Sequence, residues 1–263
     1  AFGMPESIFG PEVIRKLQIK WLNYILESNG VDGFNTDNES TPLTIDDLPN
    51  LTATKNKIST GPLVSILVPV YNGEEFLDTA LEGLASQTYQ NIEVLVIDDC
   101  STDSTADVVK RWGAKDSRIK LLSAGNNGGS YRARNIGLES AAGEFVTVHD
   151  ADDWSHPQKI EIQVAQLQKF SKLVANISQG VRVKHDRLHF YPVVGRNYLR
   201  MNISSMMFRR ELIMKEIGFW DEVRFGADSE FHERIMAKFG TGSVNVINNG
   251  PLSFTRFHAA SLT

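Results

Sequence analysis

Asp150 and Asp152, one residue apart and followed by Asp153, close the apolar run 145–148. Carboxylates crowded at a strand end repel unless a cation lies between them, and Mg²⁺ or Mn²⁺ favours carboxylate oxygens completed by substrate phosphates. At such a turn Asp150 and Asp152 can face one ion, directly or through water. That ion would neutralise a diphosphate and stabilise it as a leaving group. Acidic pairs also occur in solvated turns and helix caps, so the motif gains its weight from placement. A second acidic cluster, 98–103 (DDCSTD), follows the apolar run 92–97, and Tyr71, Asn72 and Gly73 follow 64–70. Ligands of open α/β sheets bind outside the carboxyl ends of the strands. Three strand ends therefore deliver polar groups to one edge.

Such an edge needs a sheet behind it. From Leu63 the pattern alternates: strands at 64–70, 92–97, 119–122 and 144–148, with helical spacing at 74–86, 104–112 and 131–140. This predicts an α/β fold with a mainly parallel sheet and helices on both faces. The second half is less regular: helices at 157–170, 211–217 and 229–239, strands at 174–183 and 205–208, and no period over 186–202. Upstream, 11–28 repeats its apolar residues at helical spacing, whereas 30–61 is rich in Asn, Asp, Thr, Ser and Pro without a period. The expected organisation is a helical segment over 1–29, a linker or extended arm over 30–62, and one domain over 63–263. Within that domain, 63–154 forms the ligand-binding half and 155–263 a second, acceptor half. The first helix packs on this domain or docks onto a further one.

The chain has 263 residues, 41% hydrophobic and 22% charged, with a net charge of −5. That balance gives no general attraction to nucleic acid or an anionic membrane. Cys100 is the only cysteine, which excludes an internal disulfide and suits a reducing compartment. No apolar run reaches transmembrane length, and residues 1–10 lack the pattern of a secretory leader. The expectation is a cytoplasmic protein or one peripheral at the cytoplasmic membrane face. Ala1 in place of Met fits a piece of a longer parent with further domains or an anchor elsewhere.

The segments 65–73 (SILVPVYNG), 93–105 (EVLVIDDCSTDST), 126–137 (NNGGSYRARNIG), 143–154 (GEFVTVHDADDW) and 219–234 (FWDEVRFGADSEFHER) stand in order. Together they resemble the family 2 inverting glycosyltransferases, over Leu63 to the C-terminus. The resemblance implies the GT-A fold and transfer of a sugar from a nucleoside diphosphate, UDP foremost, to a hydroxyl of a glycan acceptor in polysaccharide or surface-glycan assembly. It sets the donor against Pro69, Tyr71, Asn72, Asp98, Asp99, Gly128, Arg134, Asp150, Ala151 and Asp152. Tyr71 would stack on the base and Asp98 accept from its ring N–H. Asp98 can alternatively cap a helix, and Arg134 can contact the nucleotide or pair with a surface acid such as Glu139. Gly128 admits a close backbone approach or simply makes a turn. Asp152 would bind Mn²⁺ or Mg²⁺ directly, with Asp150 assisting. His258 would touch the metal or the diphosphate, or stand as a tail residue.

An inverting transfer also needs a base for the acceptor hydroxyl. By resemblance this is Asp228, whose preceding position holds Ala227 where the family has an acid, leaving Glu230 as a second candidate. The alternative for Asp228 is a helix N-cap. The Gln-x-x-Arg-Trp motif of processive members is absent, which favours single additions. Two rivals are a sugar nucleotidyltransferase and a catalytically degenerate glycan-binding domain of a larger protein. The first needs a basic Gly-rich loop after the first strand, where 71–75 (YNGEE) is acidic. An oxidoreductase is disfavoured because no G-x-G-x-x-G follows that strand.

Overall fold

The computed structural model of the chain describes residues 10–37, 39, 41–52, 56–184, 186–191 and 198–258. Seven successive residues of strand β1 (Val64–Val70) are buried, as a central strand covered on both faces requires. Beside it lie β2 (Ile92–Asp98), β3 (Ile119–Ser123) and β4 (Phe145–Val148), all parallel. The second half of the chain adds β5 (Trp154–Ser155), β6 (Ala175–Lys184), β7 (Arg187–Tyr191), β8 (Arg200–Met201), β9 (Met207–Arg209), β10 (Val244–Ile247) and β11 (Ser253–Phe257). Strand order is β3-β2-β1-β4-β9-β6-β11-β5. β9 is antiparallel to β4 and β6, and β10 and β11 return parallel to β6. The mainly parallel sheet expected from the sequence is therefore present, with an antiparallel strand at its centre.

The helices are α1 (Pro11–Ser28), α2 (Leu48–Leu51), α3 (Leu77–Ala85), α4 (Thr105–Lys115), α5 (Ser130–Ser140), α6 (Lys159–Lys169), α7 (Arg210–Glu216) and α8 (Ala227–Phe239). Alternation along β1 divides the core: Ile66 and Val68 pack with α3, α4 and α6, whereas Leu67 packs with α5, α7 and α8. α5 lies tightly on the sheet at Gly137, where a Cβ would meet Ile97 Cδ1 at 2.7 Å. No helix among the described residues is long and apolar enough to cross a membrane.

Three readings change. The expected strand 205–208 is a 3-10 turn over Ile203–Ser205 followed by β9. β10 and β11 were not foreseen, because Val244–Ile247 is a short run broken by Asn245 and Ser253–Phe257, with Arg256 in it, carries no apolar run. Residues 30–62 are not a free linker: Val31, Phe34, Leu43, Ile45, Leu48 and Leu51 are buried with α1, Trp154 and strands β6, β7 and β11. Their spacing is aperiodic because coil and two single turns of helix, at Ile45–Asp47 and in α2, present them rather than one long helix or strand. The buried Arg15 of α1 fastens the coil, donating from Nε to Asp37 at 2.8 Å and from Nη1 to Asp47 at 3.2 Å. α1 thus packs on its own domain. Ile45→Ala should cost about 2–5 kcal/mol in chemical denaturation, from lost burial and a residual cavity. A change below about 0.5 kcal/mol would show that the arm does not belong to the cooperative unit.

Candidate active site

In-register pairing of Val70 with Asp98 brings the ends of β1 and β2 level. Their loops are then stitched together: Asn72 N–H donates to Ser101 Oγ (2.9 Å), and Thr102 N–H to Asn72 Oδ1 (2.8 Å). Asn72 (φ 50) and Cys100 (φ 66) adopt the left-handed backbone that non-glycine residues seldom take. Strain of this kind persists where surrounding structure over-determines it, and it concentrates at functional sites. Beside these loops the end of β4, one face of α5 and the first turn of α8 open onto one cleft of about 920 Å³.

Arg134 is the electrostatic centre of that cleft. It is 4% exposed, donates from Nη1 to Asp228 Oδ1 and from Nη2 to Asp150 Oδ1 (3.0 Å), and so joins carboxylates from two halves of the chain. Tyr131, three residues earlier on the same helix face, puts its ring 5.0 Å from the guanidinium and its hydroxyl 3.4 Å from Asp228 Oδ2. Burial pushes the Asp228 carboxyl above its ordinary value; Arg134 pulls it back, and Asp150 pushes it further up. Gly226 (φ 82) occupies the N-cap of α8, so Asp228 lies within the first turn and the capping alternative falls away.

Asp152 Oδ2 lies 3.0 Å from His258 Nε2, whose ring sits 4.8 Å from that of Phe76. Burial and Asp150 raise the Asp152 carboxyl, and His258 opposes them. Adjacent ligands on a cation with bonds of about 2.1 Å stand roughly 3.0 Å apart, so the Asp152–His258 pair fits Mg²⁺ or Mn²⁺. Among the described residues no three His, Cys, Asp or Glu side chains form a closed metal cage. The donor set suits an open site completed by phosphate oxygens. Behind it Asp153 accepts from Arg256 N–H at 2.9 Å, and burial, with Asp152 and Asp150, drives its carboxyl well above the usual range. Burial likewise lowers Lys159 to about 8.

Of the residues expected to hold the donor, Pro69, Tyr71, Asn72, Arg134, Asp150, Ala151 and Asp152 line this cleft, as do Asp228 and His258. Tyr71 is 53% exposed, its face open to a ring. Asp98 accepts from Ser101 N–H at 2.9 Å and does not line the cleft. Asp99 and Gly128 depart from expectation: buried Asp99 accepts from the N–H groups of Gly128 (2.9 Å) and Gly129 (2.7 Å), which fixes the turn into α5. A carboxylate engaged by two backbone donors there is a structural anchor. Glu230 also departs, because Arg234 engages both its oxygens at 2.7 and 2.6 Å and it lies outside the cleft. Trp154 and Trp220 are buried packing residues.

Sequence reasoning missed Tyr131 and four arginines that line the cleft, Arg182, Arg200, Arg224 and Arg256. For Arg182 a signal existed: apolar residues at 175, 177, 181 and 183 alternate with Asn176, Ser178, Gly180, Arg182 and Lys184 at a period of two. Arg256 had none, since its partner Asp46, at 3.0 and 2.5 Å, is 210 residues distant.

The profile described as glycosyl transferase family 2 matches residues 65–218. An uncharacterized glycosyltransferase of Haemophilus influenzae is 44% identical over 103 residues, covering 39% of this chain and 41% of that protein. Glycosyltransferase GlyG of Streptococcus pneumoniae is 31% identical over 159 residues, covering 60% of this chain and 51% of that protein. The chain thus spans about half the length of these curated relatives. Among solved structures, S. aureus TarS 1-349 in complex with UDP superposes with a TM-score of 0.61 at 22% identity, covering 74% of this chain and 60% of that one. Mannosyltransferase PcManGT from Pyrobaculum calidifontis, in complex with GDP-Man and Mn²⁺, gives 0.54 at 19% identity, covering 90% and 66%. At such identities these two likenesses establish a shared fold, the GT-A fold.

Proposed function

The chain belongs to glycosyl transferase family 2, and from that premise we propose that it is a metal-dependent, inverting transferase acting on a nucleoside-diphosphate sugar. The donor is a UDP-sugar and the acceptor a hydroxyl of a glycan in polysaccharide or surface-glycan assembly. One observation carries this reading: Asp150, Asp152 and Asp228, from two separate segments, share one cleft with Arg134 between two of them. The UDP bound to TarS and the GDP-Man and Mn²⁺ bound to PcManGT support the donor class and the cation.

Tyr71 offers its exposed ring to the base, and Asn72 holds the loop that presents it. Asp152 and His258, with Asp150 beside them, would hold Mn²⁺ or Mg²⁺, which supplies charge neutralisation of the diphosphate as it leaves. Asp228 takes the acceptor proton as the hydroxyl oxygen attacks the anomeric carbon from the face opposite the diphosphate. Arg134 keeps that carboxylate oriented and draws it away from full protonation. The setting is cytoplasmic or peripheral at the cytoplasmic face of a membrane.

Thermal denaturation of the full chain against a panel of nucleotide sugars, with and without Mn²⁺, tests this. A specific donor at 100-fold above its Kd should add about 2.7 kcal/mol of stability. That increment should require Mn²⁺ and disappear in Asp152→Ala. A melting temperature unmoved by every nucleotide sugar would defeat the proposal, and binding without turnover would favour the degenerate-domain alternative. The pH profile is a second check. Transfer needs ionised Asp228, so kcat/KM must rise with pH through its ionisation. Because burial raises that carboxyl, the half-maximal point should lie above the ordinary Asp value of about 3.9. An acid limb centred at or below pH 4 would contradict the role.

A further inference from the structure

Five arginines line the cleft, and they divide into two groups. Arg134 is matched by Asp150 and Asp228, and Arg256 by Asp46. Arg182, Arg200 and Arg224 form no ion pair with any carboxylate among the described residues. Arg182 and Arg200 belong together. Arg200 of β8 pairs with Gly180 of β6, and Arg182 lies two residues further along β6, hence on the same face. At Gly180 between them the place of a side chain is taken by Ser253 of β11, whose carbonyl oxygen would lie 2.8 Å from a Cβ there. Arg200 donates from Nη2 to Thr255 Oγ1 at 2.8 Å, while Arg182 lies 4.9 Å over the Phe257 ring. The Nε atoms of both are buried without a protein partner. Burial and the neighbouring Arg182 lower the proton affinity of Arg200, and the charges of Asp153 and Asp150 oppose them only in part.

Two adjacent guanidiniums with no carboxylate paired to either, and only the more distant charges of Asp153 and Asp150 acting on Arg200, are costly unless an anion completes them, and their forked donors match phosphate or carboxylate oxygens. We infer that Arg182 and Arg200 form an anion-binding wall for the acceptor, which therefore carries a phosphate or carboxylate near the hydroxyl to be glycosylated. This rests on the reading of the cleft as a glycosyl-transfer site. The pair belongs to the acceptor rather than the donor for two reasons. It stands on β6 and β8, which contribute nothing to the nucleotide edge at β1 and β2, and the diphosphate has its own counter-charge in the cation at Asp152. Arg224, four residues before Asp228, adds a third positive charge to the same cleft.

The test is calorimetric titration of the full chain at constant ionic strength, saturated with UDP and Mn²⁺, using glucuronate against glucose and glycerol 1-phosphate against glycerol. At least one anion should bind on the order of tenfold more tightly than its neutral analogue. Arg182→Gln and Arg200→Gln should each remove that preference while changing UDP affinity less than about threefold. Arg182→Lys and Arg200→Lys should retain part of it, and the wild-type comparison stands even where a Gln variant fails to fold. Equal binding of charged and neutral probes overturns the inference. So does an anion preference that vanishes once UDP is bound, or a tenfold loss of UDP affinity in the Gln variants, since either assigns the pair to the donor diphosphate. If UDP itself fails to bind, the donor reading falls. Titration without UDP still reads the arginine pair on its own.

Discussion

Asp228→Asn should slow sugar transfer by about 10²–10⁴-fold, the range over which a positioned base accelerates a proton transfer. The substitution keeps the shape of the side chain and an oxygen for Arg134, but removes the capacity to take a proton at the acceptor hydroxyl. UDP affinity should change far less than turnover, because the donor contacts at Tyr71 and Asp152 remain. The acid limb that Asp228 sets should also disappear from the residual activity. Fold should survive: Asp228 is already pushed toward its neutral form by burial, so a neutral amide asks little of its surroundings. Steady-state kinetics with a competent acceptor gives the answer. A rate within about tenfold of wild type would reduce Asp228 to a counter-ion for Arg134.

Arg134→Met should lower stability by about 3–5 kcal/mol, because it leaves two buried or half-buried carboxylates facing one another without a cation. Asp150 and Asp228 both lose a charge-assisted hydrogen bond, and the repulsion that already raises the Asp228 carboxyl then acts unopposed. For a domain of this size the loss corresponds to roughly 6–20 °C in melting temperature. The double variant Arg134→Met/Asp228→Asn should recover more than half of it, since the charge left unmatched is the main cost. Urea unfolding of the single and double variants closes the cycle. An Arg134→Met protein as stable as wild type would show that water already screens this cluster. Mn²⁺ should stabilise the single variant more than wild type, because a cation near Asp150 replaces part of the lost charge.

The glycosyl-transfer fold and much of the site are legible in the chain. Apolar runs at 64–70, 92–97 and 145–148 must be buried on both faces, and a strand buried that way ends at an edge where its next residues meet ligand. Asp150, Asp152, Tyr71 and Asn72 reach the cleft because they follow those strands directly, so local order along the chain fixes their place. Asp228 was legible through an ordered motif, although its helix starts two residues earlier than periodicity suggests.

What the sequence could not contain is which charges meet. Arg134 was open between a nucleotide contact and a surface pair with Glu139; packing of α5 against the start of α8 buries it between Asp150 and Asp228. Asp99 and Glu230 have the same chemistry as their catalytic-looking neighbours, and only the backbone of Gly128 and Gly129 and the side chain of Arg234 divert them. The arm over 31–51 shows no period because coil and single turns of helix bury side chains wherever the fold offers room. The reason is physical: periodicity reports burial against a regular neighbour and motif order reports position along a strand. The pairing of charges depends on through-space distance, which is decided only when segments as far apart as Asp46 and Arg256 come into contact.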